Sequence, residues 1–209
     1  MIQRANISLR NTPVGPKGKS TVDRIIDAAA DQLAKRGYEA LTTNHIAAAA
    51  DVNIATLYKY FANKQTILVA LHEQMSRRWT EALTHVVNQI RDGLPWRETV
   101  CTIIDIAAER RQSAAGAAAM RIAMRVSPEL QAYDRAESVE SAGFVADLLT
   151  ERASIDAVSA ARVGRVAIEV GMAVLDLLLR EETADDAAYV REAKDVVCNY
   201  LAPYFEART

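Results

Sequence analysis

Apolar positions along this chain recur with helical rather than strand spacing. Val22, Ile25, Ile26, Ala29 and Leu33 step through i, i+3, i+4, i+7 and i+11, one stripe of a helix from Thr21 to Arg36. Gly37 supplies the stop, because glycine accepts the backbone that follows a helix C-terminus. Thr42 and Thr43 then cap a short helix from Asn44 to Ala50, with Ile46 inward, and Asp51-Val52 turns the chain. Asn53 opens a second short helix in which Leu57 and Phe61 share one face, with Ile54 and Tyr58 on another. That other face has no apolar stripe and presents Thr56, Tyr58, Lys59 and Tyr60. Such a helix is a poor core element and a good probe. Two short helices joined by a tight turn describe a helix-turn-helix unit, whose second helix enters the DNA major groove.

Longer helices follow. Asn63 caps a fourth with Leu68, Leu71, Met75, Trp79, Leu83, Val86 and Ile90 on one stripe, ending at Asp92-Gly93. Pro95 starts a fifth, with Val100, Ile103, Ile104 and Ala107 inward. An alanine-rich sixth runs from Ala114 to Val126. Ser127-Pro128-Glu129 opens a seventh that includes Leu130, Tyr133, Phe144, Val145 and Leu148. The eighth, Asp156 to Glu182, is apolar nearly all round and needs cover on more than one side. Its small residues Ala160, Ala161, Gly164, Ala167 and Gly171 let another helix come close. The ninth, Asp185 to Phe205, is capped by Thr183. The expected fold is all-α: an N-terminal three-helix helix-turn-helix domain plus a larger C-terminal helical bundle domain, about nine helices.

Composition agrees. Of 209 residues half are apolar and a quarter charged, with only 8 glycines and 5 prolines. The N-terminus has no signal-like apolar core, and the most apolar run, Val166 to Leu179, is interrupted by Glu169 and Asp176. Cytoplasmic residence is expected, with no membrane partner. Charge is uneven: residues 1–65 hold 9 Lys+Arg against 5 Asp+Glu, and the remainder 16 against 22. A basic N-terminal part on an acidic body suits a protein that meets nucleic acid at one end. Residues 1–20 carry Arg4, Arg10, Lys17 and Lys19 without an acid and read as a flexible basic arm, either contacting DNA or solvated. The domains expected are 1–20 arm, 21–65 helix-turn-helix and 66–209 ligand-binding and dimerisation.

The wording around the motif is more specific than its spacing. Gly37-Tyr38, Leu41-Thr42-Thr43, Ile46-Ala47, Val52 and Thr56-Leu57-Tyr58-Lys59-Tyr60-Phe61-Ala62-Asn63-Lys64 resemble the signature of the TetR family of bacterial transcriptional regulators. The resemblance covers about the first 70 residues. It departs at Asp51 and Ala55, where that family usually or often has glycine; Asp tolerates left-handed backbone, so the turn remains buildable. The resemblance implies a homodimer through helices eight and nine, a near-palindromic double-stranded DNA operator and a repressor released by a small molecule. Carried onto this chain, Thr43, Tyr58, Tyr60 and Lys64 position phosphates. Ile54, Ala55 and Thr56 face bases, Lys59 serves either role, and Asn53 completes the set as the helix cap.

Other chemistry is sparse. His45, on the exposed side of its helix, His72 and His85 lack metal-ligand spacing, and no catalytic or phosphate-cradling motif stands out, so neither enzyme activity nor a cofactor is expected. Cys101 and Cys198 are isolated in apolar helices and read as small buried hydrophobes rather than as a disulfide or metal pair. Met75, Met120, Met124 and Met172, with Trp79 and Tyr133, either line a cavity for an apolar ligand or fill a core. Glu169, embedded in apolar sequence, is the candidate polar anchor for such a ligand. Arg162, Arg165, Glu169, Asp176 and Arg180 otherwise read as a charged ladder on a solvated edge. Two alternatives remain: a helix-turn-helix protein controlled by a protein partner with no ligand, and an all-helical enzyme without a visible motif.

Overall fold

The computed structural model describes residues 9–13, 15–113, 116–153, 155–179 and 186–206, and every statement below concerns those residues. All regular structure among them is helical: α1 Gly15–Ala40, α2 Thr43–Ala49, α3 Ile54–Tyr60, α4 Lys64–Arg91, α5 Trp96–Ser113, α6 Ala117–Val126, α7 Pro128–Arg152, α8 Ala157–Leu175 and α9 Asp186–Phe205. A short 3-10 turn, Asp176–Leu179, follows α8. The chain divides into two compact units. One holds the described residues up to Ser76 and those of the 114–136 segment; the other holds residues 77–113 and the described residues from Glu137 onward.

The first unit is built on the α1 stripe. Ile25, Ala29 and Leu33 are fully buried and meet Ile46, Leu57, Phe61, Ile67 and Leu68. Gly37 breaks the helical path at φ 69°, ψ 172°, a backbone that L side chains resist. α6 lies on α1 and brings Met120 and Met124 into the same core. The approach is close: a Cβ on Gly116, itself at φ +78°, would stand 2.9 Å from the Ala30 carbonyl oxygen.

α1 begins six residues earlier than the apolar stripe suggests, so Lys17 and Lys19 lie on helix rather than in an arm. Pro16, whose fixed φ suits a first helical turn, explains the early start. Residues 9–11 are not free either. Leu9 packs on the core, the Arg10 N–H donates to the Tyr60 carbonyl at 2.8 Å, and Asn11 Nδ2 donates to the Lys59 carbonyl at 2.6 Å. These bonds satisfy two of the carbonyls that the end of α3 leaves without helical partners. Arg4 lies outside the described residues.

In the second unit α9 packs along α8 and α5. Asp156 caps α8, accepting from Val158 and Ser159 N–H at 3.0 Å each. α8 ends at Leu175, earlier than the expected Glu182, because Asp176 turns into the tighter 3-10 path. Thr183 and Arg180 fall outside the described residues. The small residues of α8 meet helices of the same chain. A Cβ on Gly164 would come 2.6 Å from the Ala142 carbonyl oxygen on α7, and one on Gly171 would stand 3.1 Å from a Val197 methyl on α9. No described helix is long and apolar enough to cross a membrane.

Candidate nucleic-acid interface and effector cavity

The turn between α2 and α3 is held from both sides. Asp51 takes the left-handed backbone at φ 50°, as its side chain type permits. Arg24 of α1 reaches under the turn and donates to the Ala50 and Asp51 carbonyls, capping the end of α2 with a charge-assisted contact. Sequence spacing gives no sign of this clamp. Asn53 caps α3, its Oδ1 accepting from the Ala55 N–H at 2.8 Å.

With α3 fixed this way, Ala55 and Lys59 are exposed, Tyr58 is 41% exposed and Thr56 is half-buried. Ile54 packs its side chain on the core edge. Thr43 Oγ1 and the Tyr58 hydroxyl lie 2.9 Å apart, which joins the two helices across their outer face. Thr43, Asn53, Ala55, Thr56, Tyr58 and Lys59 therefore share one surface region with Ile54 at its inner margin.

Two residues of the expected set are placed differently. Tyr60 is only 7% exposed, because positions 57, 60 and 61 are i, i+3 and i+4 and all turn inward. Its hydroxyl ends near Gly18 in the first turns of α1. Lys64 spends its ammonium internally: Nζ donates to the Tyr38 carbonyl at 2.8 Å and the Leu41 carbonyl at 3.1 Å, and stands 4.2 Å from the Tyr38 ring centre. Those carbonyls belong to the chain leaving α1, so Lys64 ties the start of α4 to the approach of α2. His45 is half-buried rather than exposed, and its Nδ1 finds no partner.

The ligand candidates separate. Met120 and Met124 are buried in the first unit's core, and Met75 packs against it. Tyr133, also there, meets the His72 ring edge-on at 5.6 Å and donates to Glu73 at 2.8 Å. Trp79 and Met172 belong to the second unit and do share a cavity of about 70 Å³. Its other walls include Leu83, Val87 and Ile90 of α4, Val100, Ile103 and Ile104 of α5, Val145 and Leu148 of α7, Ala167 and Gly171 of α8, and Val197, Leu201 and Phe205 of α9. Sequence reasoning placed the cavity among helices four to eight and named Trp79 and Met172 correctly, but it named no lining residue of α5 and left out α9, because their apolar stripes look like those of any packed helix. Glu169 is not a cavity residue. Its carboxylate, half in solvent, pairs with Arg165 at 2.7 Å and accepts from Ser138 at 2.7 Å.

Asp176 is also displaced from its expected role. It is 3% exposed and pairs at 3.2 Å with Arg111, which further donates to the Ala107 carbonyl at 3.1 Å and to Met172 Sδ at 3.2 Å. This buried pair stands directly behind a cavity wall.

Comparison with known proteins gives family matches in both the N-terminal and the C-terminal part of the chain. Residues 25–71 match the family described as bacterial regulatory proteins, tetR family, and residues 95–201 match the tetracyclin repressor-like C-terminal domain. An uncharacterized HTH-type transcriptional regulator of Bacillus subtilis, YvkB, is 47% identical over 58 residues, 28% of this chain and 31% of that one. The match thus spans about a third of this curated relative's length. Among solved structures, a TetR-family transcriptional regulator from Streptomyces coelicolor is 26% identical with a TM-score of 0.63, covering 88% of this chain and 99% of that one. FadR from Bacillus subtilis, solved in complex with stearoyl-CoA, shares the fold at 20% identity and a TM-score of 0.62, over 84% and 96% of the two chains.

Proposed function

Because the chain belongs to the TetR family, and so is a DNA-binding transcriptional regulator, we propose that it is a repressor released from its operator by an apolar small molecule. The observation that carries the effector part is the cavity of the second unit, whose lining is aliphatic and aromatic apart from the Met172 sulfur. At about 70 Å³ it is smaller than the ~150 Å³ apolar cavity known to accept benzene. A ligand must therefore move the walls to enter. α4 supplies Trp79, Leu83, Val87 and Ile90 to those walls, and the same helix begins three residues after α3. Displacing it is the means by which occupancy reaches the motif.

On the DNA side, the exposed region of Thr43, Asn53, Ala55, Thr56, Tyr58 and Lys59 is the surface offered to the major groove. Lys59 and Tyr58 meet phosphates, and Ala55, Thr56 and Ile54 meet base edges and thymine methyls. Arg10, pinned beside the end of α3, adds a cation at the margin. Dimerisation through α8 and α9 would present two such surfaces and call for a near-palindromic operator. Val158, Val166 and Val196, 74%, 37% and 40% exposed, are large apolar side chains that those helices leave for a partner to cover.

A long acyl thioester is the first ligand class to test, since a relative with this fold was solved with stearoyl-CoA. Operator recovered from a random DNA pool is titrated by anisotropy with and without stearoyl-CoA and a free fatty acid. Coupling of about 1–3 kcal/mol would lower operator affinity roughly 5–150-fold, and operator must weaken ligand binding by the same factor. Ligand binding that leaves operator affinity untouched would refute release by this cavity.

A further inference from the structure

The two cysteines, remote in sequence, are neighbours in the second unit. α5 and α9 run antiparallel, and their cross-contacts keep a steady register. Trp96 stacks on Phe205 with ring centres 4.9 Å apart, and Arg97 pairs with Glu206 at 2.7 Å. Further along, Asp105 pairs with Lys194 at 2.6 Å. Between these fixed points the register sets Cys101 of α5 opposite Cys198 of α9. The Cys101 thiol is near enough to act on the Cys198 thiol. Both are free, Cys198 buried and Cys101 half-buried, so Cys101 is the one a small solute reaches.

We propose that Cys101 and Cys198 are a peroxide-reactive pair that closes to an intramolecular disulfide and ties α5 to α9. The balance is simple. The Cys101 sulfur attacks one oxygen of hydrogen peroxide, the O–O bond breaks, and the departing hydroxide takes the thiol proton as water. The Cys198 sulfur then attacks the resulting sulfenic sulfur; the S–S bond forms, the S–O bond breaks, and hydroxide leaves with the second thiol proton as water. Two thiols are oxidised and one peroxide is reduced to two waters.

The environment fits this division of labour. Burial first, and then the adjacent Cys101, push the Cys198 thiol up to about 11, so Cys198 is the resolving partner rather than the first nucleophile. A thiol of high pKa is also a poor leaving group, which makes the closed bond slow to reopen by attack on the Cys101 sulfur. The consequence lies next door. Val100, Ile103 and Ile104 precede and follow Cys101, and Val197 and Leu201 flank Cys198, and all five line the cavity. A bond at this point braces two of its walls.

The test uses the full reduced chain, mixed in equal parts with an isotopically heavy copy and exposed to hydrogen peroxide. Remaining thiols are alkylated, and the digest is mapped without reductant. The expected product joins the peptides carrying Cys101 and Cys198 within one copy, two hydrogens lighter than their sum, and disappears with reductant. Amide exchange across 96–105 and 194–205 slows in the oxidised protein. Separate peptides bearing oxygen, peptides joined only between light and heavy copies, or two thiols still open to alkylation would each overturn the assignment. A joined pair with unchanged exchange would overturn the bracing. The mapping is done on the unsubstituted chain, so a Cys198→Ser variant that failed to fold would not affect it.

Discussion

Thr43 Oγ1 and the Tyr58 hydroxyl meet at 2.9 Å on the outer face of the helix-turn-helix, one from the first residue of α2 and the other from the middle of α3. Each hydroxyl keeps capacity for a second bond. In the proposed DNA complex this pairing aligns both hydroxyls on one phosphate oxygen.

Tyr58→Phe retains the ring and removes that alignment. A hydrogen bond to a charged phosphate is worth about 1.5–3 kcal/mol, so operator affinity should fall roughly 10–150-fold. Thr43→Ala should cost a similar amount, and the double replacement less than the two together, because they share one contact. Neither group is charged, so the slope of log affinity against log salt should stay the same. Strictly additive losses in anisotropy titrations would show that the two hydroxyls act independently.

The two lysines of the motif should behave oppositely. Lys59 is exposed, and Lys59→Ala should shallow the salt slope by about 1 per subunit with little change in thermal stability. Lys64 is already committed to the Tyr38 and Leu41 carbonyls. Lys64→Ala should leave those acceptors short and, allowing for their partial exposure, destabilise the first unit by about 1–3 kcal/mol. Its salt slope should barely move. A shallower slope with an unshifted melting curve would place the Lys64 ammonium on DNA instead.

Acid should loosen the start of α8. The Asp156 carboxyl is held below the usual aspartate value, chiefly by the Ser159 N–H. A carboxyl with a depressed folded pKa contributes stability above its unfolded value and loses it as pH falls through the folded one. The protection factors of the Val158 and Ser159 amides, which already allow for the pH dependence of intrinsic exchange, should therefore fall below the ordinary aspartate range and stay flat above it. Asp156→Asn keeps a capping oxygen without a titrating proton, and it should abolish the acid-induced step. A step that persists in the asparagine variant would have another source.

Much of this fold can be read from periodicity. The α1 stripe, the two capped short helices and the α4 stripe all follow from positions three and four apart. The surface of α3 was legible for Thr56, Tyr58 and Lys59 for the same reason. Tyr60 was not, because an aromatic hydroxyl looks equally at home outside or in, and only the 57–60–61 arc shows that it turns inward. The methionines were ambiguous for a different reason. An apolar side chain on a helical stripe announces that it is covered, not which helix covers it: α6 laid on α1 puts Met120 and Met124 in the first unit's core, while Trp79 and Met172 line the second unit's cavity. The glycines of α8 announced a close approach without naming α7 and α9 as the neighbours. Cross-helix register, which brings Cys101 to Cys198, has no local signature at all.

Asp176 shows the same limit and carries the last prediction. In sequence it continues a charged ladder on α8, yet its side chain and that of Arg111 are only 4% and 6% exposed. Removing one member of a buried pair strands the other charge, so Asp176→Ala should destabilise the second unit by about 3–5 kcal/mol. Replacing both by apolar residues of similar size, Arg111→Met with Asp176→Leu, strands nothing and should recover most of that loss. Because Arg111 also touches the Met172 sulfur at the cavity wall, the single variant should loosen the wall as well. Amide exchange across α5 is the measurement: it should quicken in Asp176→Ala and slow again in the double variant. If the double variant is as unstable as the single one, the loss comes from the shape of the site rather than from an unpaired charge.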